Sequence, residues 1–79
     1  MKIEVNLFAT LVQYKPENTG RKPWIETCED GITVNSLLGV LKVPLHEVKV
    51  IFVNRVRADG DAVLEDGDRV GVFPPVGGG

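Results

Sequence analysis

Arg69-Val70-Gly71-Val72-Phe73-Pro74-Pro75-Val76-Gly77-Gly78-Gly79 is the stretch on which the reading of the whole chain turns. Its first five residues predict a last strand, with Val70 and Val72 on one side and Phe73 on the other, the period of two that a pleated strand imposes. Pro74 and Pro75 then hold the backbone extended and bar a helix. The three glycines carry no Cβ and add backbone freedom. The expectation is a strand that runs into an extended, flexible tail over 74–79, a stiff stalk with a thin tip. At that tip the α-carboxylate of Gly79 could enter a narrow channel in another protein, with Gly78, Gly77, Val76, Pro75 and Pro74 threading behind it. A side chain at Gly78 or Gly79 would block both threading and attack at the carbonyl. A free carboxylate is a poor electrophile, so a reactive terminus needs activation, most simply as an acyl-adenylate made by a partner that uses ATP. A disordered end or a purification scar would also finish in glycine, although scars are rarely preceded by a strand running straight into Pro-Pro.

Moving back from the last strand, Asp66-Gly67 is a strong turn signal, and Ala62-Val63-Leu64 reads as a brief edge strand after a polar stretch over 55–61. Val50-Ile51-Phe52-Val53 is an apolar run of strand length, expected to be covered on much of both faces. Asn54 after it suits left-handed turn geometry. Val34, Leu37, Leu38 and Leu41 follow the i, i+3, i+4, i+7 rule of an amphipathic helix, with Thr33 or Asn35 available as its cap. That helix should end near Lys42, because Pro44 biases Val43 out of helical geometry, and Leu45 to Glu47 can add a short turn with Pro at its start. Trp24 to Glu29 reads as a strand with Trp24, Glu26 and Cys28 on one side. Residues 15–23 hold Lys15-Pro16, Asn18, Gly20 and Lys22-Pro23 and form a loop. Residues 1–8 alternate, with Met1, Ile3, Val5 and Leu7 on one face and Lys2, Glu4, Asn6 and Phe8 on the other. Ala9 to Tyr14 reads as a short helical turn or an irregular exit.

With 79 residues the chain is expected to be a single domain, near the lower limit of what folds without staples and hiding roughly 60% of its unfolded surface. Nine basic against eleven acidic residues give a net charge of −2, which argues against a nucleic-acid binder that must neutralise phosphates. No apolar run approaches the ~18 residues of a membrane span. Strand-like alternation begins within three residues of Met1, so no signal peptide and a cytoplasmic location are expected. The one cysteine, Cys28, excludes an internal disulfide and a multi-cysteine metal site. His46 has no second ligand near it in sequence, and no metal site is expected. Asp59, Asp61, Glu65, Asp66 and Asp68 are either a solvated turn region or an acidic rim that meets a basic partner.

The order strand, strand, helix, strand, short strand, strand is most economically packed as an α+β fold, one main helix on a mixed sheet of four or five strands. This is the β-grasp, or ubiquitin-like, arrangement. If its first and last strands lie side by side and parallel, Phe8 and Phe73 reach the same end of the outer face. An exposed aromatic pair beside a reactive tail would mark a partner-binding patch, unless Phe8 tucks under a loop.

With that order, the run Leu64-x-Asp66-Gly67-Asp68-x-Val70 and the ending Phe73-Pro74-Pro75-Val76-x-Gly78-Gly79 give a chain that resembles, over its whole length, the MoaD/ThiS family of ubiquitin-like sulfur carriers. The Phe-Pro-Pro form is more similar to MoaD, the small subunit of molybdopterin synthase, than to ThiS. The resemblance implies that Gly79 is adenylylated by a MoeB/ThiF-like activating enzyme using ATP and converted to a thiocarboxylate with sulfur from a sulfurtransferase. That sulfur would then be donated in molybdenum or tungsten cofactor biosynthesis, with a MoaE-like large subunit holding the catalytic groups. Gly77 falls in the family's variable slot, and Phe8 with Phe73 resembles its partner-facing patch. The chain departs from the pattern at Val12-Gln13, where MoaD often has Arg-Glu, in a short ThiS-like region between helix and third strand, and at Arg55-Val56-Arg57, which replaces a more apolar stretch. Nothing in the chain resembles an independent active site. A thiamine thiazole sulfur carrier, a ubiquitin-like protein modifier and a non-catalytic binding module with an inert tail are the alternatives.

Overall fold

Alternation in the first and last strands becomes burial on one face of a sheet. The computed structural model describes residues 1–16 and 22–75. Strand β1, Lys2–Leu7, buries Ile3, Val5 and Leu7. Strand β5, Arg69–Phe73, buries Val70 and Val72. The two lie parallel, with Val5 opposite Val70 and Leu7 opposite Val72, so their apolar sets share a face. Strand β2, Trp24–Thr27, pairs antiparallel with the other side of β1. It stops two residues short of the expected Glu29 because β1 has only Met1 left to pair. There the Met1 ammonium donates to the Cys28 carbonyl and the Cys28 amide to the Met1 carbonyl, both at 2.8 Å.

Helix α1, Val34–Val40, sets Val34, Leu37 and Leu38 against that face, and all three are fully buried in one cluster with the sheet residues. Thr33 is its cap, Oγ1 accepting from the Ser36 amide at 3.2 Å. The helix ends slightly earlier than Lys42. Lys42 takes the left-handed conformation, φ 62°, and the Val43 amide returns to the Leu38 carbonyl at 2.9 Å, the six-to-one bond of a Schellman ending. Pro44 then opens the short 3-10 helix Leu45–Glu47.

Strand β3, Val50–Val53, lies between β5 and the edge strand β4, Val56–Ala58, and the full order is β2-β1-β5-β3-β4. Here one expectation is corrected. The short strand is not Ala62-Val63-Leu64 but β4, inside the stretch that reads as polar. Asn54 and Arg55 both adopt positive φ, 53° and 69°, and two left-handed residues make the tight hairpin whose twist suits paired strands. An edge strand needs little apolar content, and Val56 and Arg57 are exposed. Ala62 to Leu64 instead runs across the start of α1. The Val34 amide donates to the Ala62 carbonyl at 3.1 Å and the Asn35 amide to the Gly60 carbonyl at 2.8 Å, satisfying donors that a helix start leaves free. Gly60 approaches so closely that a Cβ there would collide with the Asn35 side chain. The apolar run of β3 is covered on much of both faces, to different degrees. Ile51 is buried inward, while Val50 and Phe52 are half-buried on the face opposite α1.

Of the five clustered acids, Asp66 accepts from the Lys2 amide at 2.7 Å. Asp68 accepts from the Glu65 amide at 2.8 Å and from Asn54 Nδ2 at 2.9 Å. These two build turns, while Asp59, Asp61 and Glu65 are exposed. Among the described residues no helix is long and apolar enough to cross a membrane.

Candidate functional site

The outer face of the sheet, opposite α1, collects the candidate residues. Because β1 and β5 are parallel, the residues at their ends emerge side by side. Phe8 follows β1 and is held at both backbone groups: its amide donates to the Val72 carbonyl at 3.1 Å, and its carbonyl accepts from the Leu11 amide at 3.0 Å. Ala9 next to it takes φ 51°, turning the chain into the 3-10 helix Ala9–Tyr14. Phe73 ends β5, its carbonyl accepting from the Lys49 amide at 2.8 Å. The rings of Phe8 and Phe73 stack with centroids 4.1 Å apart and planes 2° from parallel. Phe52 meets Phe73 edge-on at 5.8 Å. Phe8 is half-buried in this stack, so it does not tuck under a loop.

Gly71 is the floor beneath the rings. It lies between Asn6 of β1 and Phe52 of β3 in register, and a Cβ there would stand 3.4 Å from Phe8 Cε2, at the short end of ordinary contact. A groove of about 430 Å³ runs along this floor, lined by Glu4, Asn6, Phe52, Arg55, Arg69 and the aromatic pair. A second, of about 480 Å³, flanks Phe8 on the side of Ala9, Thr10 and Val12. Phe8 is therefore a wall between two depressions. Arg69 Nε lies 3.7 Å from Glu4 Oε2. Asn6 Oδ1 is buried with no hydrogen-bond partner among the described residues.

Pro74 and Pro75 follow directly from the stack and are half-buried. Val76, Gly77, Gly78 and Gly79, the rest of the expected threading segment and the expected reactive terminus, lie outside the described residues. Sequence reasoning missed Phe52, whose direction is hidden inside an apolar run, and Asn6, whose unpaired oxygen has no sequence signature. Gly71 carried a usable signal, since glycine inside a strand often marks a close approach.

The remaining chemistry-bearing side chains lie away from this face. Cys28 sits beside Met1, at the end of β1 opposite the tail. Burial chiefly, with the Glu26 carboxylate second, pushes its thiol pKa up against the lowering effect of the N-terminal ammonium. Tyr14 donates to Glu47 Oε2 at 2.7 Å, tying the two 3-10 helices together. That hydrogen bond, then desolvation, raises the Tyr14 pKa. His46 is exposed, its Nε2 3.9 Å from Glu47. No three of the described His, Cys, Asp and Glu residues are grouped to hold a metal.

The family model described as Mut7-C ubiquitin matches residues 1–77. Among solved structures the chain is similar to the Haloferax volcanii HVO 2177 protein, at 29% identity and a TM-score of 0.76, covering 100% of this chain and 87% of that one. It is similar to the putative molybdopterin converting factor, subunit 1, from Pyrococcus furiosus, at 29% identity and a TM-score of 0.70, covering 96% and 99%. It also shares its fold with a protein in the complex of subunits 1 and 2 of molybdopterin-converting factor from Helicobacter pylori, at 23% identity and a TM-score of 0.62, covering 100% of both chains. No curated protein matches it. The mixed five-stranded sheet with one main helix is the ubiquitin-like β-grasp of these neighbours.

Proposed function

The chain belongs to the Mut7-C ubiquitin family, and on that premise we propose that it is a sulfur carrier whose working group is the carboxyl terminus at Gly79. One observation carries the reading. The parallel pairing of β1 with β5 puts Phe73, and so the start of Pro74-Pro75, in contact with Phe8 on an uncovered aromatic surface. A protein that docks on the aromatic pair is thereby held next to the origin of the tail. Two prolines fix the direction in which the tail departs, and Val76, Gly77, Gly78 and Gly79 are slim enough to thread a channel.

The chemistry belongs to partners. An activating enzyme of the MoeB/ThiF kind would let a carboxylate oxygen of Gly79 attack the α-phosphate of ATP, releasing pyrophosphate and leaving an acyl-adenylate. The terminal sulfur of a persulfide on a sulfurtransferase would then form a C–S bond as AMP departs, and a thiol would cleave the resulting acyl disulfide, leaving the thiocarboxylate and a disulfide. The name of the Pyrococcus furiosus neighbour supports molybdopterin, or its tungsten-binding equivalent, as the destination of the sulfur, with a MoaE-like large subunit as acceptor partner. The same electrophile would serve a thiazole-forming enzyme or a lysine amine.

Intact mass tests the reading. Incubation with the cognate activating enzyme, ATP and a sulfur source replaces one terminal oxygen by sulfur, localised to Gly79. Deleting Gly79 or appending a residue abolishes the shift. Gly78→Ala folds and reacts poorly, and Gly77→Ala is tolerated. If the elongated chain is thiolated as well as the parent, the terminus is not the reactive group. If only isopeptide bonds to lysine form, the protein is a modifier and not a sulfur carrier.

A further inference from the structure

The outer face is not uniformly apolar. The groove beside the stack is walled by two guanidinium groups, Arg55 and Arg69, and one carboxylate, Glu4. Arg69 and Glu4 are 3.7 Å apart and both substantially exposed, so their attraction is weak and each is free to take another partner. Arg55 stands in the exposed turn after β3 and has no ion pair or hydrogen bond among the described residues. Asp68, held by Asn54 Nδ2 and the Glu65 amide, keeps its charge but does not line the groove. In a chain of net charge −2, this groove carries an excess of cation.

Its spacing is definite. Arg69 and Gly71 are two residues apart on β5, about 7 Å at the usual strand rise. Beside Gly71 the rings of Phe52 and Phe73 meet edge-on, an apolar surface on which a side chain from outside can rest.

We propose that this groove receives an acidic segment of the docking protein: a carboxylate between Arg55 and Arg69, and an apolar side chain two residues along laid against the rings of Phe52 and Phe73. The assignment rests on the outer face being the docking surface and is independent of the sulfur chemistry. Guanidinium groups suit the carboxylate because their planar fork matches it bidentately.

The test uses the full chain, labelled with ¹⁵N, and a capped glutamate–threonine–leucine peptide. In an extended peptide the first and third side chains lie on one side about 7 Å apart. Amide shifts gather at Phe52, Arg55, Arg69 and Gly71. Affinity falls by about fivefold or more when glutamine replaces the glutamate, when Arg55→Gln and Arg69→Gln are combined, or in about 0.5 M salt, where the screening length is only a few ångströms. Arg55→Glu with Arg69→Glu reverses the preference toward a lysine–threonine–leucine peptide. The same spectra show that each variant is folded. Equal binding of the glutamine peptide, shifts that map away from the groove, or no binding of the glutamate peptide overturns the proposal. Thiolation of Gly79 is read separately by mass, so failure of one leaves the other standing.

Discussion

The two faces of the one sheet are built to opposite rules. The inner face, under α1, presents Ile3, Val5, Leu7, Ile51, Val70 and Val72 to Val34, Leu37 and Leu38, and no polar or charged side chain is buried among the described residues. The outer face carries three phenylalanines, a glycine floor, an unpaired asparagine oxygen and two arginines around a groove. Burial completes the first within the chain. The second has its apolar area and its charge left over, which is what a surface awaiting a partner should show.

Truncating a core residue should have the largest effect. Leu37→Ala removes a fully buried side chain and should cost roughly 2–5 kcal/mol of stability. For a domain of this size the melting temperature should fall by about 4–8 °C for each kcal/mol. Phe73→Ala on the outer face should behave differently. Loss of the stack costs about 0.5–1.5 kcal/mol beyond area burial, while binding to the activating enzyme or large subunit weakens by the ~1–3 kcal/mol of an interface anchor. Thermal unfolding and partner titration of the two variants side by side make the comparison. Equal destabilisation would mean that the outer aromatics belong to the core.

Gly71→Ala sharpens the contrast with a smaller change, because the two faces predict effects of opposite sign. A strand alanine gains back roughly 0.5–1 kcal/mol of the entropy that glycine forfeits, and its Cβ would meet the Phe8 ring at 3.4 Å, the short end of ordinary contact. Stability should hold or rise slightly. Docking should weaken, since the methyl fills the floor of the groove. A variant that loses stability and keeps full affinity would show that the floor serves packing alone.

The difference between the faces also explains what the sequence makes legible. Ile3, Val5 and Leu7, or Leu37, Leu38 and Leu41, declare themselves because one buried face imposes a period, and a period is visible in a string of letters. Phe8 and Phe73 are visible as exceptions to that period. Strand β4 is missed because an edge strand has little face to bury and its hairpin depends on Arg55, a residue type that gives no sign of left-handed geometry. Ala62 to Leu64 misleads for the complementary reason: Leu64 is buried, but the backbone beside it is spent on the start of α1. The groove is legible only in part, as Arg55-Val56-Arg57 where an apolar stretch is expected, because a site assembled across three strands has no contiguous signature.

The smallest expected effect is at Cys28, the one nucleophile that could compete with the tail. It packs against the rim of the inner face, while the tail leaves from the opposite end of β1, about 20 Å away at the strand rise for six residues. Its Sγ donates to the Glu26 carbonyl at 3.7 Å, a role that a serine hydroxyl can take over. Cys28→Ser should therefore leave sulfur transfer unchanged and alter stability at neutral pH by less than about 1 kcal/mol. The raised thiol pKa fixes the sign of the pH dependence. The folded state favours the protonated thiol, so its contribution is complete below the ordinary thiol pKa of about 8.5. It is lost as the pH climbs through the higher folded value. Denaturant titrations from neutral to alkaline pH should show a decline in the parent that is shallower in Cys28→Ser. The raised pKa also leaves little thiolate at neutral pH to act as a nucleophile. Loss of all sulfur transfer in Cys28→Ser, with the fold intact, would move the working sulfur from the tail to a persulfide on this cysteine and make the inner rim, not the outer face, the functional end of the molecule.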